Sequence, residues 1–209
     1  MIKISTIIVS LSALMLITST AAKAQFGLPS LGGGSTSNAD PGAIEKDLKE
    51  IIEQSSIGYS ALYKAFGSVD EADKYAANAK CIKENTCSVK EAVEVMTSGS
   101  ANLNKVVAAK MAAGEKLSAE ATTKAANALI PAIKVVALWK KVIDGGKNMK
   151  GTDLMKFSAL ASALPQAPGA LTGSLELYKS GIQYLFFSGY KGDGLNNALK
   201  DAMTANGIS

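Results

Sequence analysis

The residues with the clearest chemical potential are Cys81 and Cys87, the only two cysteines in the chain. In an unbroken helix, six residues advance the chain by about 9 Å, which exceeds the roughly 7 Å that a disulfide tolerates between Cα atoms. Asn85 and the helix-capping Ser88 indicate that the helix breaks between the cysteines. The spacing therefore predicts one structural disulfide. A catalytic redox pair is disfavoured because it normally has the C-x-x-C spacing.

Two further motifs match part of a functional site and lack the rest. Ser188 and Lys191 match the S-x-x-K of penicillin-binding enzymes, but the companion S-D-N and K-T-G elements are missing and Ser188 is expected at a helix end. Residues 192–196, GDGLN, contain oxygen ligands without the alternating acidic positions and the twelfth-position Glu of an EF-hand. A turn followed by a helix N-cap is the favoured interpretation of this segment.

The composition excludes most familiar catalytic designs. The chain has no His, and all 22 members of its Lys+Arg class are Lys. Without His there is no imidazole metal ligand, no His base and no Ser-His-Asp triad. Without Arg there is no planar fork for phosphate or carboxylate. We therefore predict no catalytic residue, no metal and no cofactor, while an enzyme that uses Lys, Tyr and carboxylates stays open as a minor alternative.

Residues 1–24 have the pattern of a secretory signal peptide. A lysine near the start is followed by an apolar core at residues 7–17 and an A-x-A cleavage sequence that ends at Ala24. The core is too short for a permanent membrane anchor, so we expect cleavage after Ala24 and a periplasmic or extracellular location. Residues 25–39, QFGLPSLGGGSTSNA, predict a flexible Gly/Ser-rich linker.

The charge distribution argues against a nucleic-acid partner. Removal of the two leader lysines leaves 20 Lys against 18 acidic residues, a net charge of +2. Acidic and basic residues alternate along the chain, as at residues 45–47, so no basic face accumulates. Binding to DNA or RNA normally requires a basic stripe, usually with Arg and stacking aromatics.

Residues 40–209 have the apolar spacing of an all-α domain. Apolar side chains recur every three or four residues, Ala is frequent, and no stretch alternates as a strand would. We predict a single-domain bundle of five to seven helices that contains a long Ala-rich helical hairpin. Residues 125–143 are apolar nearly all round and should form its buried centre. Their expected tight-packing partner is the helix around residues 171–189.

Several helix boundaries can be predicted from their capping residues. Asp40 before a proline should start the first helix, and Gly67 should end it. Residues 68–71 and 88–91 both fit the capping box, in which Ser and Glu side chains bond reciprocally to the backbone. Residues 206–208 predict a Schellman ending for the last helix. Inside the central helix, Pro131 predicts a kink on the solvated side.

Three aromatic residues, Tyr184, Phe187 and Tyr190, form the candidate interaction surface. We expect a non-enzymatic interaction or scaffold protein that binds an unidentified protein partner in the cell envelope, through this aromatic face or an Ala/Gly-lined helix face. The main alternative is a helical protein that acts at a membrane surface. Its candidate membrane-facing segments are residues 157–171, and residues 184–187 together with Tyr190.

Overall fold

The computed structural model describes residues 40–208 and confirms an all-α domain there. The predicted signal peptide, 1–24, and linker, 25–39, lie outside the described residues. The helices are α1 Pro41–Ala65, α2 Val69–Lys83, α3 Val89–Ala112, α4 Ala119–Lys134, α5 Leu138–Lys147, α6 Gly151–Lys156, α7 Ser158–Ala163, α8 Ala167–Phe187 and α9 Gly194–Ala205. Short 3-10 helices, Val135–Ala137 and Leu164–Gln166, join α4 to α5 and α7 to α8. The described part therefore contains seven continuous helical segments and no strand.

Five helices, α1, α2, α3, α8 and α9, end in the same left-handed turn. Each turn is made by a residue with positive φ, which costs glycine no steric penalty. These residues are Gly67, Asn85, Gly114, Gly189 and Gly207. The predicted Schellman ending of α9 is confirmed, because the N–H of Ile208 donates to the carbonyl of Met203 at 3.0 Å.

Of the two predicted capping boxes, one is present in the structure and the other is not. Asp40 caps α1 by accepting the N–H of Gly42 at 3.0 Å. At α3, Ser88 and Glu91 form the predicted box, with both N···O distances 3.2 Å. The box predicted at residues 68–71 is wrong, since the Ser68 side chain makes no cap bond. Its ψ is 76°, whereas the extended ψ of 147° at Ser88 aims the hydroxyl at the first turn.

The directions of the long helices bring the turns that follow α1, α3 and α8 to the same end of the bundle. Tyr59 meets Ser174 and, seven residues later, Phe66 meets Tyr184, so α1 and α8 are parallel. The segment after α3 also reaches Tyr184, through Glu115, so α3 ends at the same level. The helices that start there, α2 and α4, run back along α1. We call residues 66–69, 113–118 and 187–190 the turn end, and residues 40–44, 81–88 and 144–157 the disulfide end.

The packing partners of the Ala-rich helices differ from the sequence-based expectation. Although α3 and α4 are consecutive, α3 packs chiefly along α8 and α4 chiefly along α1. The helix at residues 171–189 is therefore not the main partner of the central helix. The physical reason is a close approach of α1 to α4, since a Cβ on Gly58 would lie 2.7 Å from that of Ala132.

The predicted disulfide is present and closes the turn between α2 and α3. Cys81 and Cys87 are bonded, with their Cα atoms 5.4 Å apart. As predicted, the helix breaks between them, at Asn85, whose φ is +55°. Lys49 of α1 donates to the side-chain oxygen of Asn85 at 2.9 Å. The crosslinked turn is thus also held against the first helix.

The central segment supplies the largest buried side chain of the described residues, Trp139. Leu129 and Val136 are fully buried with it, as the sequence predicted. Pro131 lies on the exposed side of α4, and the helix passes into the 3-10 turn soon after it. Asn206, at the end of α9, donates to the carbonyl of Val136 in this turn at 2.8 Å. Of the helices described, none has both the length and the apolarity to span a membrane.

Candidate interaction surface

Tyr184 supports the predicted aromatic surface from beneath and is not part of it. Its side chain is 1% exposed. Its ring centroid lies 5.2 Å from that of Phe66 and 6.3 Å from that of Phe187. Its hydroxyl donates to the carbonyl of Glu115 at 3.0 Å, and burial raises its pKa, which keeps the donor protonated. The prediction that Tyr184 is a surface residue fails because the segment 113–118 crosses this side of α8.

Phe187 is the most exposed aromatic ring among residues 40–208, with 37% of its surface accessible. The ammonium of Lys116 lies 5.2 Å from the ring centroid, a distance at which a cation is attracted to an aromatic face. The next residue, Leu117, donates its backbone N–H to the hydroxyl of Ser188 at 3.2 Å. The loop and the helix end are therefore tied together on both sides of Phe187, and the ring sits on a fixed base.

Tyr190 lies at the same end of the bundle but packs on a different neighbour. It is half-buried, and its ring meets that of Phe186 edge-on with centroids 5.7 Å apart. Gly192 lies directly beside it, since a Cβ there would be 2.6 Å from the tyrosine oxygen. The structure thus leaves Phe187 and part of Tyr190 of the three predicted surface residues accessible.

A groove between the end of α1 and the start of α4 belongs to the same end and was missed by the sequence reasoning. It has a volume of about 410 Å³. It is lined by Ala61, Lys64, Ala65, Ser118, Glu120, Ala121 and Lys124. The sequence does not predict that α1 and α4 pack together, because their contact depends on the close approach of the two helices at Gly58 described above. The segment 113–118 connects the groove to the aromatic surface, since Lys116 covers Phe187 and Ser118 lines the groove.

The hydroxyl groups of Tyr59 and Tyr178 are buried in the core. Tyr59 shares a hydrogen bond with Ser174 at 3.2 Å, and Tyr178 donates to Ser55 at 3.1 Å. Burial raises the pKa values of both tyrosines, so their hydroxyls stay neutral. This hydroxyl layer joins α1 to α8 and offers no reactive group to a dissolved substrate.

The two partial motifs adopt turn structures. Ser188 lies at the end of α8, as expected, and its hydroxyl accepts the N–H of Leu117. The segment 192–196 forms a turn and the first residues of α9, although the side chain of Asp193 makes no cap bond. Among the described residues, no three His, Cys, Asp or Glu side chains are grouped to hold a metal ion.

One face of the proposed membrane-facing run, residues 157–171, is buried in the core, and the rest of the run is partly or fully exposed. Leu160, Ala163, Ala167 and Ala170 are each at most 1% exposed. Just before the run, Met155 of α6 is 76% exposed. These four apolar side chains face inward because α7 and α8 pack along α3.

Comparisons with known proteins give no family for this chain. A scan against protein-family models, a search of curated proteins and a search of solved structures each find no match.

Proposed function

We propose that this protein is an exported, non-enzymatic binding module that recognises a protein partner of the cell envelope through Phe187. The single observation that carries the proposal is a large aromatic ring, exposed on a fixed base at the turn end, with a lysine ammonium over its face. Aromatic side chains, Phe among them, are enriched at protein interfaces, where a few residues supply most of the binding energy.

The exposure of Phe187 is selective. The tyrosines of α1 and α2 and the single tryptophan are buried, as are Tyr178 and Tyr184. Phe157, Phe186 and Tyr190 are partly buried, so Phe187 is the one aromatic side chain of the described residues that is classed as exposed. Retention of Phe187 at the surface therefore favours a role in binding.

The chemistry around Phe187 indicates the partner's contact group. Lys116 is exposed and makes no ion pair with the residues described. A partner that places an apolar side chain on Phe187 and a carboxylate beside Lys116 would satisfy both groups at once. The proposed partner surface is thus apolar with an acidic neighbour.

Export is the second part of the proposal and has independent support. The disulfide between Cys81 and Cys87 is typical of oxidising compartments, and the first 24 residues have the signal-peptide pattern. Sequencing of the mature N-terminus should give Gln25. Detection of Met1 on the protein recovered outside the cytoplasm would refute cleavage after Ala24.

Affinity capture from envelope extracts tests the binding role. The chain beginning at Gln25 should retain one partner, and Phe187→Ser should weaken that binding at least tenfold, about 1.4 kcal/mol. Ile208→Ser is the matched control, because Ile208 is also 37% exposed and lies outside the turn end. Equal capture by both variants, with unchanged circular dichroism, would refute the role of Phe187.

Peripheral membrane contact is the second candidate function, and Met155 is the observation that favours it. This side chain is 76% exposed, and Lys150 and Lys156 flank it on exposed positions. An apolar side chain among lysines suits an anionic lipid surface. Flotation with phosphatidylglycerol vesicles should therefore recover the protein, and Met155→Ser should reduce the recovery. Absence of flotation at low salt would eliminate this candidate.

A further inference from the structure

The groove between α1 and α4 is an unfilled surface with a defined chemistry. Ala61, Ala65 and Ala121 supply its apolar lining, while Lys64 and Lys124 stand at its rim. Lys64 makes no ion pair with the described residues, and Lys124 pairs only with Glu120 of its own helix. That pair lies on a solvated helix surface, so it exchanges partners at little cost. An occupant of the groove needs a small apolar side chain accompanied by carboxylates.

The start of α2 presents that combination on the same molecule. Val69 is 58% exposed, and Asp70 and Asp73 follow it on the same exposed face of the helix. Neither carboxylate forms an ion pair with a described residue. We call Val69, Asp70 and Asp73 the acidic knob. One valine side chain suits a groove lined by alanines. One carboxylate of the knob can pair with Lys64, and the other can replace Glu120 as the partner of Lys124.

The knob of one molecule does not fill the groove of the same molecule. The turn at Gly67 sends α2 back along α1, and α4 runs along α1 with little or no contact to α2. The groove lies between α1 and α4, and the knob lies at the start of α2. Both nonetheless reach the turn end, the knob through Val69 and the groove through Ser118.

We infer that a second copy of this chain occupies the groove, with the acidic knob of each molecule in the groove of the other. A two-fold axis at the turn end would form both contacts at once, and such an isologous pair closes at two subunits. The contact is small, so the dimer is expected to be weak, with a dissociation constant on the order of 100 μM at low salt. Added salt should weaken it, because exposed charges supply the complementarity.

Charge exchange tests the inference sharply. Sedimentation velocity of the mature chain should show a monomer–dimer equilibrium. The double variant Lys64→Glu, Lys124→Glu should raise the dissociation constant at least tenfold, and so should Asp70→Lys, Asp73→Lys. An equimolar mixture of the two variants should dimerise again, since each groove then faces a knob of opposite charge. Restoration by mixing cannot come from damage to either fold.

Controls separate this inference from unrelated charge effects and from the proposed function. The variant Lys46→Glu, Lys200→Glu changes the net charge equally at exposed positions away from the groove and should leave the dimer intact. Phe187→Ser should also leave it intact while reducing partner capture. A chain that stays monomeric up to about 1 mM at low salt would overturn the inference, because even a small specific contact is populated at that concentration. A mixture of charge-exchanged variants that fails to dimerise would overturn it equally.

Discussion

The two ends of the bundle are both tightly held, but the contacts that hold them differ in their separation along the chain. At the disulfide end, Cys81 and Cys87 are six residues apart, and the capping box at Ser88 reaches only to Glu91. At the turn end, Leu117 bonds to Ser188 across 71 residues. The disulfide end thus adds these local links to its longer contact with α1 at Lys49, while the Leu117–Ser188 link at the turn end joins segments from most of the domain. A surface built this way is rigid only in the complete fold.

Tyr184 provides the strongest test of this difference, because its ring links α1, α8 and the segment after α3. Tyr184→Ala should lower the free energy of unfolding by about 3–5 kcal/mol, the usual cost of removing a large buried aromatic side chain. Tyr184→Phe keeps the ring and loses only the bond to the Glu115 carbonyl, so it should cost about 1 kcal/mol. Urea denaturation measures both. Equal costs for the two variants would show that the ring packing at the turn end is unimportant.

Removal of the disulfide should have a smaller effect. Cys81→Ser with Cys87→Ser should cost about 2 kcal/mol, because the crosslink closes a short loop and limits the unfolded chain modestly. Reduction of the wild-type protein should lower stability by the same amount. We expect partner binding through Phe187 to survive, since the two ends are held independently. Loss of binding on reduction would contradict the separation of the ends.

Alkaline pH should act on the hydroxyl layer and on the turn end. The folded pKa values of Tyr59, Tyr178 and Tyr184 are raised above 10.0, so the unfolded chain releases their protons first. Their stabilisation is complete below pH 10 and decreases as the pH rises through that value, by about 1.4 kcal/mol per pH unit for each fully buried tyrosine. Tyr178→Phe should reduce this slope in pH-dependent urea unfolding. An unchanged slope would refute the assignment.

The two serine caps give the smallest predicted effects. Ser88→Ala should cost about 1 kcal/mol, because it removes a formed capping box at the disulfide end. Ser68→Ala, at the turn end, should change stability by less than about 0.5 kcal/mol, since the Ser68 side chain makes no cap bond. Thermal unfolding of the two variants compares the sites directly. Equal destabilisation would mean that Ser68 does cap α2 in solution.

Local features of the fold were predictable from the sequence. The cap at Asp40, the turns at Gly67 and Gly207 and the disulfide depend on residues that lie within a few positions of each other. Their chemistry is fixed by backbone geometry that is the same in any helical protein. The missing cap at Ser68 has a local cause too, since the ψ of 76° there departs from the extended conformation that Ser88 adopts.

The candidate surface was predictable only in part, because it depends on how distant helices meet. The aromatic cluster near the end of α8 pointed to Phe187 and Tyr190, but the burial of Tyr184 depends on residues 113–118, which cross it. Lys116 carried no sequence signal, since many lysines alternate with acidic residues in this chain. The groove could not be predicted, because it forms where α1 and α4 approach closely, and a single small residue, Gly58, permits that approach.

The hydroxyl layer has a consequence for the order of synthesis. Tyr178 of α8 bonds to Ser55 of α1 across 123 residues, so this layer of the core can form only after α8 has left the ribosome. Closing so long a loop is entropically costly and slows the final step of folding. A chain that folds slowly stays unfolded for longer after synthesis. That property suits passage through a secretory channel, which the proposed export of this protein requires.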